Sequence, residues 1–370
     1  MSVTFQKTKT RKEKLIDSLV IEPDEFSDIE LNQLLKDETF SEKDLRPILL
    51  RLFDENDIAI KNDSSANQGI LGWLNRRSYK KREKLFWKRV RRGNISKLIL
   101  VEGDSWYEYP IFIKEIIDHL NKRKRYAINS LAYGGDWIAN MLYEQQYVEK
   151  LSLIQPDVFL ISGGGNDIVG GYRLAQLIRN RKSVGLDGEV ELNTKEGKLR
   201  FAKQCFNKEF NSLLHLFKLQ YKLLFRSIEE NTEKFKDLKI ITQGYDYAIP
   251  SLKKGFGLNP FRFTKPITNW FMGNGKWLKT PLLIRGYRNE KEQKAIVFGM
   301  IELFNDMLIE VGKEYKNVYH IDCRGAVNEK RGWYNELHPH SKEFKKIAKV
   351  FEMCVESKDR GVRHYLVREG

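Results

Sequence analysis

The sequence predicts an α/β protein: a three-layer α/β/α sandwich with a central parallel sheet, preceded by a small helical N-terminal module. Two observations support this prediction. From Lys97 onward, short apolar segments alternate with longer stretches of helical periodicity, the order typical of a parallel sheet covered on both faces. Each apolar segment is also followed by a polar or glycine-rich turn.

Five short apolar segments are the predicted strands of this sheet. They are Leu98–Val101, Ala127–Leu131, Val158–Ile161, Leu238–Thr242 and Val318–Ile321. The main predicted helices are Ile138–Tyr147, Phe206–Ile228, Lys291–Tyr315 and Lys342–Glu356. Because ligands of such sheets bind beyond the carboxyl ends of the strands, we expect functional residues in the turns that follow them.

The first 68 residues are predicted to form a separate helical module. Ser27 is placed to cap a helix over Asp28–Leu35, and Ser41 to cap a second helix that ends near Phe53. This stretch contains 10 Lys and Arg residues and 15 Asp and Glu residues, a net charge of −5. That balance disfavours the phosphate contacts on which nucleic-acid binding depends. We therefore expect residues 1–68 to bind a protein partner or to act as an autoinhibitory element.

A strongly basic connector helix is predicted over residues 69–96. Residues 69–97 contain 11 Lys and Arg residues and a single acidic residue, Glu83, in a chain of net charge +15. Within residues 76–92, a few apolar side chains share one helical face: Tyr79, Phe86 and Val90. The pattern leaves two interpretations open. One is a solvated connector that docks through these side chains, and the other is a contact surface for an anionic partner such as nucleic acid or acidic lipid.

Composition argues against several other classes of protein. The hydrophobic fraction of 41% is sufficient for a packed core. The longest apolar runs are far shorter than the roughly 20 residues of a membrane-spanning helix, so no transmembrane segment is predicted. The N-terminus is polar and lacks the apolar core of a signal peptide. Because the chain shows neither a membrane span nor a signal core, we expect a cytoplasmic protein. Cys205, Cys323 and Cys354 are too far apart for a metal site or a disulfide framework.

Four turns carry the candidate chemistry, and each follows a predicted strand. They are Gly103-Asp104-Ser105, Tyr133-Gly134-Gly135-Asp136, Ser162-Gly163-Gly164-Gly165-Asn166-Asp167, and the stretch Trp333–Pro339 that contains His338. Taken singly, each is most often an ordinary turn or a structural histidine. All four in this order are far less expected by chance, and a parallel sheet would bring them to one edge.

These four turns resemble the four blocks of the SGNH/GDSL hydrolase family, which contribute Ser, Gly, Asn and His. The resemblance covers about residues 97–358 and implies the flavodoxin-like SGNH fold. Residues 243–247 and 335–339 also resemble a bacterial subgroup of the family. The resemblance implies a catalytic pair, with Ser105 as nucleophile and His338 as general base. It implies an oxyanion hole formed by the N–H of Ser105, the N–H of Gly134 or Gly135, and the amide of Asn166. It also implies two supporting acids, Asp104 and Asp167.

The chain departs from the family pattern three residues before the histidine. The family usually has Asp at that position, and this sequence has Asn335. The acid normally fixes the imidazole tautomer and stabilises the imidazolium. Asn335 can accept a hydrogen bond but carries no charge, Glu336 would be expected to point elsewhere, and a main-chain carbonyl is a third candidate for orienting the ring.

The resemblance implies a carboxylic-ester hydrolase, such as a carboxylesterase, lipase or deacylase, that forms an acyl-enzyme on Ser105 without a metal or organic cofactor. The alternative is a catalytically weakened or inactive scaffold that regulates or binds an anionic partner, either nucleic acid or acidic lipid. That alternative is motivated by Asn335 and by the basic connector.

A long insertion over residues 251–289 bears on the substrate. It contains eight Lys and Arg residues, seven aromatic residues and no Asp or Glu. It is either a subdomain with its own small core or a lid that lines the site. A cationic lid would favour an anionic ester. Residues 359–370 are predicted to be a C-terminal tail.

Overall fold

The structure is a computed structural model, which describes residues 65–109, 113–185, 191–230, 232–252 and 275–368. The helices predicted within residues 1–68, and the middle of the 251–289 insertion, lie outside the described residues. From Ser78 onward, the described residues belong to one compact unit. The residues before Ser78 belong to another unit, of which only the beginning of one helix is described.

Six parallel strands form a single sheet. They are β1 (Lys97–Gly103), β2 (Tyr126–Ser130), β3 (Val158–Ser162), β4 (Lys239–Gln243), β5 (Val318–Asp322) and β6 (His364–Leu366). Their order across the sheet is β2-β1-β3-β4-β5-β6. The first five agree with the predicted strands to within two residues at each end, which confirms the predicted α/β class with its central parallel sheet.

Twelve helices are found among the described residues, together with two 3₁₀ turns at Gly170–Tyr172 and Arg181–Ser183. The helices are α1 (Ser65–Arg92), α2 (Ile116–Leu120), α3 (Ile138–Glu144), α4 (Gln146–Ile154), α5 (Gly165–Val169), α6 (Leu174–Leu177), α7 (Lys195–Cys205), α8 (Lys208–Glu229), α9 (Thr232–Phe235), α10 (Lys279–Ile284), α11 (Glu290–Lys313) and α12 (Ser341–Glu356).

Helices cover both faces of the sheet. The chain moves in one direction from β1 to β2 and in the other direction from β2 past β1 to β3. Right-handed crossovers therefore place α2 on one face and α3 with α4 on the other. Helix α12 packs on α2, while α8 contacts α3 and α11. This arrangement is the predicted three-layer sandwich.

The strand sequences account for this double coverage. In β3, the sequence Val-Phe-Leu-Ile-Ser is buried at all five positions, and every residue of β2 and β5 is also buried. A strand that is apolar at successive positions has both of its faces in the core. Each large apolar side chain buried in this way contributes roughly 1.5–3 kcal/mol.

Two features of the fold were not predicted. The helix predicted over Ile138–Tyr147 is divided in two because Gln145 adopts a left-handed conformation, with φ 50° and ψ 25°; no Gly or Pro marks the break. Strand β6 lies in the predicted tail and pairs with β5 through His364–Leu366. Its two outer residues are exposed, so it lacks the apolar signature of the other strands.

The basic connector docks through charge as well as apolar contact. Phe86 of α1 is fully buried, with 1% of its surface exposed. Arg82 is also buried and donates to the carbonyl oxygen of Tyr107 at 2.8 Å. It forms ion pairs with the buried Glu108 and Glu115. The guanidinium of arginine suits a buried ion pair because it is weakly hydrated and can donate to several oxygens at once.

The three cysteines are all buried and carry free thiols. Among the helices described here, none combines the length and apolar character needed to cross a bilayer.

Candidate functional site

Ser105 lies in the turn that follows β1. The turn closes where the carbonyl oxygen of Asp104 accepts hydrogen bonds from the N–H groups of Tyr107 and Glu108, both at 3.0 Å. At Gly103, a Cβ would lie 2.6 Å from the Tyr107 ring, so only glycine allows this close approach. The Ser105 side chain is 8% exposed and lies at the carboxyl edge of the sheet.

His338 lies in a tight loop between β5 and α12. An antiparallel bridge joins Trp333 to Pro339 across the loop, and the N–H of Tyr334 donates to the carbonyl oxygen of His338 at 2.8 Å. The loop is tied to the serine turn by Trp106, whose indole N–H donates to the carbonyl oxygen of Leu337 at 3.1 Å. The imidazole is thereby held over the same edge of the sheet as Ser105.

The serine hydroxyl and the imidazole are in hydrogen-bond contact. Oγ of Ser105 lies 2.7 Å from Nε2 of His338. On the other side of the ring, Nδ1 lies 2.9 Å from Oδ1 of Asn335. That oxygen also accepts from the main-chain N–H groups of Leu337 and His338, both at 2.9 Å. The two main-chain N–H donors thus require an oxygen at this position, so the Nδ1 that faces it carries the ring proton and Nε2 is the acceptor for the serine hydroxyl.

Aromatic rings enclose the imidazole. The ring of Tyr109 lies 4.4 Å from that of His338, and the ring of Trp277 lies 6.0 Å away, both measured between centroids. Burial lowers the pKa of His338 to about 3, because the charged form loses its hydration. The ring is therefore neutral near pH 7, as a general base must be, and can accept the proton of a hydroxyl that attacks an electrophile.

Asp104 and Asp167 support the neighbouring loops without contacting His338. Asp104 accepts the hydroxyl of Tyr245 and the N–H of Trp106, and burial raises its pKa to about 7. Asp167 accepts the N–H of Ile138 at the start of α3, at 3.1 Å, and burial raises its pKa to about 6. Asp104 thus fixes backbone of the Ser105 turn, and Asp167 fixes the start of α3.

The glycine turn after β2 and the asparagine turn after β3 are in contact with each other. The side-chain amide of Asn166 donates to the carbonyl oxygen of Asp136 at 2.9 Å. The N–H of Tyr133 donates to the carbonyl oxygen of Gly103 at 2.8 Å. Gly134 and Gly135 lie between these two anchors, and Gly135 has a φ of 94°, which favours glycine.

A small cavity opens beside the serine. It holds about 50 Å³ and reaches Ser105, Asn166 and His338. No Lys or Arg belongs to the described lining, which is mostly apolar. The apolar lining residues include Trp106, Ile168, Val169, Ala248, Met300, Ile301, Phe304 and Leu337.

Several residues at this site were missed by reasoning from the sequence. Tyr109 accepts the amide N–H of Asn335 at 3.2 Å. Tyr245, two residues after β4, accepts the N–H of Gly165 at 3.2 Å. Its place in the stretch 243–247 after a predicted strand was the available signal, whereas Tyr109 lies six residues beyond β1 and had none. Glu336 points away from the imidazole, as expected. Its contacts with residues 251 and 277–279 were not predicted, because these residues are far from Glu336 in sequence and share no local pattern with it.

No family model and no curated protein sequence matches the chain. Solved structures that resemble it include a protein described as a GDSL-like lipase from Parabacteroides merdae, with 12% identity, a TM-score of 0.38, and coverage of 71% of this chain and 96% of that one. An acetylxylan esterase from Geobacillus stearothermophilus has 11% identity, a TM-score of 0.37, and coverage of 72% and 96%. A TM-score this low does not assign a family.

Proposed function

We propose that the chain is a serine-dependent ester hydrolase of the SGNH/GDSL type. The observation that carries the proposal is the 2.7 Å contact between Oγ of Ser105 and Nε2 of His338. A hydroxyl beside a neutral, oriented imidazole is the arrangement by which hydrolases activate a serine.

In the proposed mechanism, Nε2 of His338 takes the proton of Ser105 while Oγ attacks the ester carbonyl. The tetrahedral intermediate collapses, the imidazolium gives its proton to the departing alcohol, and the acyl group stays on Ser105. Water then attacks the acyl-enzyme with His338 again acting as base, which releases the carboxylic acid and restores the hydroxyl. Asn335 keeps the required tautomer throughout.

The proposed oxyanion hole consists of the N–H of Ser105, the N–H of Gly134 or Gly135, and the amide of Asn166. An amide nitrogen carries two hydrogens, so Asn166 can donate to the carbonyl oxygen of Asp136 and also towards Ser105. A donor of this kind is typically worth about 3–4 kcal/mol of transition-state stabilisation.

The cavity supports a short acyl group as the part of the substrate that lies beside Ser105. Its volume of about 50 Å³ and its apolar lining suit a chain of a few carbons. A preference for an anionic ester rests only on the charge of residues 251–289. Comparing neutral and anionic esters of equal chain length tests that preference, and equal kcat/KM values count against it.

The central experiment compares ester turnover by the wild-type protein, by Ser105→Ala and by His338→Ala. We expect both substitutions to reduce kcat by several orders of magnitude, with unchanged far-UV circular dichroism. Full activity in Ser105→Ala refutes the assignment. The expected cytoplasmic location is a separate prediction, which cell fractionation tests.

A second candidate function is a weakened or inactive scaffold that contacts an anionic partner through residues 76–92. Arg82 and Arg89 bond inward to the rest of the protein, which leaves the exposed side of α1 as the candidate surface. That side includes a stripe formed by Lys84, Trp87, Lys88 and Arg91. Trp87 is 40% exposed, which fits an interfacial aromatic residue among cations.

Retention on anionic vesicles tests this second function. We expect a triple substitution to Glu at Lys84, Lys88 and Arg91 to abolish retention. A control with the same change in net charge replaces the exposed Lys195, Lys203 and Lys208 by Glu and should stay bound. Equal loss in both variants indicates attraction by net charge alone and removes the stripe as a docking surface.

A further inference from the structure

Glu336 is a buried carboxylate. In the sequence it lies between Asn335, which orients the imidazole, and His338, the proposed base. It is 1% exposed and points away from the His338 ring. Its two oxygens accept four main-chain N–H groups. Oε1 accepts from Ser251 at 3.2 Å and from Lys279 at 2.8 Å, and Oε2 accepts from Trp277 at 3.2 Å and from Leu278 at 3.4 Å.

These four donors come from two separate stretches of chain. Ser251 precedes the segment 253–274, and residues 277–279 follow it. The N–H groups of residues 277–279 also lie at the start of α10, where a helix leaves its first N–H groups without internal partners. The N–H of Ile249 adds a fifth link, since it donates to the carbonyl oxygen of Glu336 at 3.2 Å. One residue therefore fastens both ends of the segment to the His338 loop.

The same contacts bring an aromatic ring to the imidazole. The main-chain N–H of Trp277 donates to Glu336. The indole of the same residue lies 6.0 Å from the His338 ring between centroids, at an interplanar angle of 77°. Tyr109 covers the ring at 4.4 Å. The indole is thus part of the enclosure that keeps water from the imidazole, and its position depends on the backbone that Glu336 holds.

We propose that Glu336 is a positioning residue whose carboxylate joins both ends of segment 253–274 to the catalytic loop and so holds Trp277 against His338. The inference rests on the proposed function, because it assumes that His338 acts as the base. Glu336 touches neither Ser105 nor the reacting atoms, and it acts through Trp277.

The first test replaces Glu336 by Gln. Glutamine keeps the size of the side chain but turns an NH₂ group towards two N–H donors, which cannot bond to it. We expect kcat/KM for a small ester to fall about tenfold or more, and trypsin to cleave faster after Lys276 and Lys279. We also expect the acid limb of the pH profile to move to higher pH, because a less enclosed imidazole regains hydration.

A matched control is Glu115→Gln. Glu115 is also fully buried and accepts two main-chain N–H groups, those of Ile117 and Asp118, but it lies away from Ser105. The control should lose stability without moving the pH profile or the cleavage rate at these lysines. If both variants change in the same way, Glu336 has only a general structural role and the proposal is overturned.

A second variant covers the case in which Glu336→Gln does not fold. Trp277→Leu keeps the main-chain donors to Glu336 and removes only the ring, so it should shift the acid limb without faster cleavage after Lys276. An unmoved limb overturns the proposal while leaving the hydrolase assignment intact. If the wild type hydrolyses no ester and binds no serine-directed probe, the proposed function fails instead, and the trypsin comparison still decides whether Glu336 holds the two chain ends.

Discussion

The side-chain oxygen of Asn335 lies 2.9 Å from Nδ1 of His338. An amide could present its NH₂ group to the ring and impose the wrong tautomer. Here two main-chain N–H groups, from Leu337 and His338, point at the same atom, and a flipped amide would set donor against donor. The neutral residue therefore orients the imidazole as a carboxylate would, but it adds no charge to stabilise the imidazolium.

Restoring that charge should alter the pH dependence. In Asn335→Asp, a carboxylate beside Nδ1 raises the pKa of His338, typically by 1–3 units for such a neighbour. Activity requires the neutral ring, so the fall in kcat/KM on acidification should move to higher pH, and kcat on the plateau should rise. A pH–rate profile that extends below the wild-type His338 pKa of about 3 and up to the alkaline plateau measures both effects. An unmoved acid limb would show that residue 335 does not interact with the base.

Removing the side-chain amide of Asn166 should lower kcat. We expect Asn166→Ala to reduce kcat by about 10²–10³-fold with little change in KM, as for the loss of one oxyanion donor. Asn140→Ala is the control, because Asn140 also bonds to Asp136, at 3.0 Å, yet is exposed and absent from the described cavity lining. Equal losses in the two variants would argue against a role for Asn166 in the oxyanion hole.

Tyr245 should matter for stability and for the geometry of the site. In Tyr245→Phe, the buried carboxyl of Asp104 and the N–H of Gly165 both lose a partner. An unsatisfied buried group costs about 1–3 kcal/mol, so urea denaturation should show a loss in that range, accompanied by lower kcat. Tyr143→Phe, at a position that is 90% exposed, should change neither. A Tyr245→Phe protein as stable as the wild type would contradict this account of the loop.

The basic connector should be an integral part of the unit that contains Ser105 and His338. Arg82→Met leaves Glu108 and Glu115 buried without their counter-ion, and breaking a buried pair in this way typically costs about 3–5 kcal/mol. Lys84→Met, on the exposed face of the same helix, should stay within about 0.5 kcal/mol of the wild type. Equal stabilities of the two variants would mean that the Arg82 cluster does not anchor the helix.

The predictable and unpredictable parts of this protein differ in their physical origin. The first five strands follow from continuous apolar runs such as Val158–Ile161, because a strand buried on both faces leaves that signature. The positions of Ser105 and His338 follow from the rule that parallel strands end at one edge. The carboxylate of Glu336 could not be placed in this way, because its partners are fixed by packing between segments more than fifty residues apart in sequence.

The same distinction explains the break at Gln145 and the edge strand β6. A left-handed residue that is neither Gly nor Asn leaves no local mark. An edge strand of three residues, exposed at both ends, has too little buried surface to impose an apolar pattern. Both features depend on contacts made by the assembled sheet.

The most direct test of the central claim is to locate the adduct of a fluorophosphonate by mass spectrometry. We expect one phosphonyl group per chain, on Ser105 in the tryptic peptide of residues 98–114, with the labelling rate sharply reduced in His338→Ala. Labelling at another residue, or no labelling of the folded wild-type protein, would contradict the assignment of Ser105 as a nucleophile activated by His338.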